Sequence, residues 1–114
     1  SNRSVRGVQP TLVEEEGDRA IEIALADPEL SRQLATAFRQ ATGRDLADPA
    51  TDLIVEPIVF RADANPATTG PARQCGRHRC AQLMLRSTDD LLVNLLPIVD
   101  LSAGVVVSRT GFFR

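Results

Sequence analysis

A chain of 114 residues that is 43% hydrophobic and 25% charged can bury one ordinary globular core. Fifteen acidic residues oppose thirteen basic ones, every one of these an arginine, for a formal net charge of −2. Four Phe with no Trp or Tyr give too few stacking platforms for nucleic acid, and no apolar run approaches the ~20 residues that span a bilayer.

Residues 1–60 carry six arginines against eleven acids, and residues 61–114 carry seven against four. A GC-rich coding bias accounts for the absence of lysine, since arginine and alanine are both plentiful. The chain does not open on methionine, and Ser1-Asn2 reads as a scar of tag cleavage. Any export signal is expected to have been removed.

Residues 1–13 read as an irregular lead-in, and residues 14–114 as one domain. The first predicted helix runs from Glu14 to Ala26, with its acids in the first turn, where they complement the helix dipole. Ile21, Ala24 and Leu25 share a face, and Gly17 weakens the segment. Asp27-Pro28 then supplies an N-cap and a first helical residue. The second helix, Pro28 to Thr42, places Leu30, Leu34, Ala37, Phe38 and Ala41 on one stripe and ends at Gly43.

After the polar connector "RDLADPATD" the pattern turns to strand. Leu53 to Phe60 is rich in β-branched residues, and its Pro57 predicts an edge strand or a bulge. Arg61 to His78 has no periodicity and is longer than most loops of compact domains. Cys80 to Ser87 alternates, with Ala81, Leu83 and Leu85 on one face. Leu91 to Leu101 reads as one long strand with a bulge at Pro97, and Val105 to Arg109 as the last. Short turns between these strands impose an antiparallel order. The fold class expected is α+β, with N-terminal helices packed on one face of a roughly four-stranded antiparallel meander. Leu92, Leu96 and Ile98 point away from Leu91, Val93 and Leu95. They therefore mark either an interaction face or one covered by the long loop and the first helix.

The stretch "RQCGRHRC" holds both cysteines, the only histidine and three arginines. Four chemistries fit it. A Cys75–Cys80 disulfide would close a short reversal about Gly76, the simplest reading in an exported protein. Cys75, His78 and Cys80 would make three soft metal ligands, with a fourth required, for instance from Asp63. A redox pair fits less well, because thiol oxidoreductases favour C-x2-C at a helix start. Arg73, Arg77 and Arg79 flank a glycine turn and would suit a carboxylate or phosphate; arginines that merely solvate a loop are commoner. No nucleophile elbow, phosphate-cradling glycine loop or H-E-x-x-H occurs, so no enzyme activity and no cofactor are expected.

The run "CAQLMLRSTDDLLVNLLPIVDLSAGVVVS", residues 80–108, resembles the strand–turn–strand ending of PepSY-like domains and of the N-terminal domains of copper amine oxidases. Its hairpin V-D-L-x-x-G-x-V stands here as Val99-Asp100-Leu101-Ser102-Ala103-Gly104-Val105-Val106. The helix-then-meander order is similar to that cystatin-like layout. The resemblance implies an exported, non-catalytic accessory domain that packs on or docks another domain or protein. It carries over no catalytic residue: the oxidase centre needs a tyrosine and three histidines, and this chain has no tyrosine and one histidine. The arginine-rich cysteine loop departs from the family pattern.

The expected function is therefore an exported binding module, secreted or periplasmic. Its partner would be a protein or a neighbouring domain, a homodimer included, with no nucleic acid and no membrane span. The alternatives are a small metal- or anion-binding protein using the Cys75–Cys80 loop, and a small thiol enzyme or hydrolase.

Overall fold

The computed structural model describes residues 11–62 and 70–109. Helix α1 spans Glu14–Ala26, α2 Pro28–Thr42 and the short α3 Pro49–Asp52. Strands β1 (Leu53–Phe60), β2 (Cys80–Ser87), β3 (Ile98–Asp100) and β4 (Val105–Ser108) follow, with a 3₁₀ turn at Gly70–Gln74 between the first two. The four strands form one antiparallel meander in the order β1-β2-β3-β4. The fold is α+β, as expected.

Local chemistry sets the helix limits. The Asp27 carboxylate accepts the Leu30 N–H at 2.8 Å, with Pro28 at the first helical position. Gly43 ends α2 at φ 76°, a left-handed conformation that costs a residue without Cβ little. Asp48-Pro49 repeats the Asp-Pro start, so the "polar connector" contains a helical turn: Asp48 accepts the Ala50 N–H.

Leu30, Leu34, Ala37 and Phe38 of α2 are buried, as their spacing predicts. In α1 the buried residues are Gly17, Ala20 and Ala24, while Leu25 stays 39% exposed. A seam of small residues is fully buried there, with Ile21 and Ile23 half-buried against the same core. The sheet answers with Leu53, Ala81, Leu83, Leu85, Val93 and Val99, which join α1 and α2 in the main core.

Pro57 lies on an edge strand, and the register explains how. Leu83 donates to the Pro97 carbonyl, and Leu85 accepts from Val93, so these β2 residues turn their polar groups toward the third strand. Pro57 is paired with Leu83 and so sits where a β1 N–H would point outward. No ladder bond is lost.

The long strand expected at Leu91–Leu101 is not continuous. Only Ile98–Asp100 is strand; residues 91–97 run beside β2 through a bridge at Leu92 and the Val93 and Pro97 bonds. Leu85 faces Val93 and Leu83 faces Pro97, so three residues, 94–96, stand opposite Met84 alone. The interruption is thus a bulge of more than one extra residue that begins before Pro97.

Candidate functional site

The sheet face away from the helices divides in two. At one end Phe60, Cys80 and Ile98 pack under Ala72 and Cys75 of the long loop, forming a second, smaller core with Ala62 and Val107 at its margin. At the other end Ile54, Ile58 and Leu92 are 39%, 43% and 51% exposed, with Met84 and Leu96 half-buried beside them. Leu92, Leu96 and Ile98, expected on one interaction surface, are therefore not equivalent. Ile98 is buried beneath the loop, and Leu92 is open.

The loop is closed by a Cys75–Cys80 disulfide, with Cα atoms 5.4 Å apart. Both cysteines are buried. Backbone bonds hold the same segment: Ala62 N–H to the Cys75 carbonyl, His78 N–H to Gln74, and Leu101 N–H to Arg79. With the sulfurs joined to each other, Cys75, His78 and Cys80 do not form a metal-binding set in this state. Among the described residues no three His, Cys, Asp or Glu side chains gather as one; Asp63 lies outside them.

His78 has a partner that sequence reasoning missed. Its Nδ1 lies 2.6 Å from Oδ2 of Asp100, whose side chain is 3% exposed against 41% for the imidazole. The other Asp100 oxygen accepts the Ala103 N–H. The signal available was an acid within the otherwise apolar run "PIVDL", in register with Cys80. The pair ties the loop to the β3–β4 turn and fixes which imidazole nitrogen faces outward.

The three loop arginines do not converge. Arg79 turns away to α1, where its Nε and Nη2 each meet the Glu16 carboxylate at 2.9 Å, and Nη2 also donates to the Thr11 carbonyl. Arg79 chiefly, with the Val13 N–H second, lowers the Glu16 pKa from 4.5 to about 2. Arg73 and Arg77 remain exposed. A second arginine–carboxylate fork joins Arg109 to Asp27 and lowers the pKa of that aspartate. It lies in an open groove of about 540 Å³ between the α1–α2 junction and β4. Its two charges already satisfy each other, leaving little there to orient a ligand.

The open half of the sheet is different in kind. Ile54, Met84 and Leu92 surround a shallow depression of about 100 Å³, and Glu56 and Arg86 stand beside it. Among the described residues no helix is long and apolar enough to cross a membrane. No protein-family model matches the chain, and neither a curated protein nor a solved structure matches it.

Proposed function

We propose that this chain is an exported, non-catalytic accessory module that docks on another protein or domain through the open half of its sheet. One observation carries the reading: Ile54, Ile58 and Leu92 stay exposed on a face whose other half lies under a disulfide-pinned loop. Ile54 and Leu92 border one shallow depression with Met84, and aliphatics gathered on one face mark an interaction surface, whereas scattered ones are ordinary. The disulfide is compatible with an oxidising compartment, secreted or periplasmic. The resemblance of residues 80–108 to PepSY-like and amine-oxidase N-terminal domains belongs to the same proposal.

The test is a photo-crosslinking residue at position 58 in the producing cell, with position 13, also exposed, as the control. The expected result is one adduct, identified by sequencing the linked peptide, formed from position 58 only and lost in Leu92→Asp. Absence of any adduct at 58, or one indifferent to Leu92, overturns the reading.

A further inference from the structure

We infer that the occupant of this face is a second copy of the chain, an inference that rests on the docking reading above. The argument is self-complementarity. Glu56 pairs with Met84 and Ile54 with Arg86 across β1 and β2, so Glu56 and Arg86 are diagonal neighbours on the open face. Leu92 follows as the bridge partner of Arg86 on the next segment, and Ile58 lies two residues beyond Glu56. Neither charge is neutralised by the other. Arg86 Nε lies 3.5 Å from the exposed Asp90, and Glu56 makes no ion pair with a described residue.

These six positions can be set on a lattice of about 3.4 Å per residue and about 4.8 Å between strands. Consider a two-fold axis lying in the interface plane and bisecting the Glu56–Arg86 diagonal. It sets each carboxylate over the guanidinium of the other copy. The same axis brings Leu92 within about 3 Å of the Ile58 position of the other copy, and leaves Ile54 and Met84 beside the axis to meet their own counterparts. The sheets then cross near a right angle, one of the two ordinary ways sheets pack. One operation thus matches acid to base and aliphatic to aliphatic. With Glu56 and Arg86 on the face and Asp90 beside Arg86, the excess is a single negative charge, too little for a strongly charged partner. Six positions are also far fewer than the roughly 20–30 residues a side of a stable interface, so the association is weak and reversible.

The experiment is sedimentation velocity on the whole oxidised chain, from about 10 µM to about 1 mM, where weak self-association registers. Wild type is expected to dimerise within that range. E56R and R86E each set like charges against each other twice, and are expected to associate about tenfold more weakly or less. An equimolar mixture of the two variants restores both opposite-charge contacts and is expected to associate as wild type does. The double variant E56R/R86E should do the same, and thermal melts establish that each variant is folded. Wild type that stays monomeric at the highest concentration overturns the inference, as does a mixture that associates no better than its components. If position 58 still crosslinks to a different protein, the docking reading survives and the second copy does not.

Discussion

Glu16 carries two duties. Its Oε1 accepts the Val13 N–H, which starts α1, and both its oxygens hold Arg79 from the far end of the cysteine loop. The carboxyl titrates near 2 in the folded chain against an ordinary 4.5. A depressed folded-state pKa stabilises the fold above the unfolded value and loses that contribution as pH falls through the folded one. Glu16→Gln is therefore expected to cost about 1 kcal/mol at pH 7, with the gap to wild type closing between pH 4.5 and 2. Urea melts at pH 7 and pH 2 measure it; a gap of the same size at both would show that the charge is not what matters. The residues on both sides of this contact were visible in the sequence, as an acid-rich helix start and an arginine-rich loop. Their pairing was not, because 63 positions separate them and any of several acids could have met any of three arginines. His78 and Asp100 show the same limit over 22 positions.

At the scale of elements, the legible parts were those whose periodicity and size agree. The stripe on α2 sets Leu30, Leu34 and Phe38 at helical spacing; these and Ala37 are buried, and Ala41 is half-buried at its end. In α1 the two cues disagree: Leu25 is large but exposed, while Gly17, Ala20 and Ala24 are small and face inward. Closeness of approach decides this. A Cβ at position 17 would stand 2.9 Å from Cγ of Pro57, so the glycine that weakens the helix in isolation is what lets it reach β1. Gly17→Ala alone should gain about 0.5–1 kcal/mol of helix preference yet lose more to the collision, for a net loss of about 1 kcal/mol. In a Pro57→Ala background the same change should become neutral or stabilising. A chemical-denaturation cycle over the four proteins decides it, and equal costs in both backgrounds would refute the contact. The strand at 91–101 was misjudged for a related reason. Composition reports β preference, but it does not report that three residues stand against one, which depends on the register of a neighbour.

Across the whole molecule the sheet separates a large core under the helices from a small one under the loop. The small core is held by the disulfide, the His78–Asp100 pair and a few backbone bonds. Closing so short a loop contributes only about 2 kcal/mol. Cys75→Ala/Cys80→Ala is therefore expected to lower stability by about that amount without unfolding the chain. Hydrogen exchange should quicken at the Ala62 and His78 amides, both bonded within the loop, while Leu83 and Val93 in the main core keep their protection. Uniform acceleration throughout would mean the two cores melt as one unit. The layered architecture was readable from the order of elements. The division of the outer face was not, since it depends on where an aperiodic loop settles.

The forks at the two ends of α1 also bear on when the chain can fold. Asp27 leaves the ribosome 82 residues ahead of Arg109, and Glu16 leaves 63 ahead of Arg79. At about 5–20 residues per second, the first gap is an interval of roughly 4–16 seconds in which the early helices exist without the groups that anchor them. Isolated helices of this length are marginal in water. The two forks that tie the ends of α1 to the rest of the fold are therefore complete only once the last described strand has emerged.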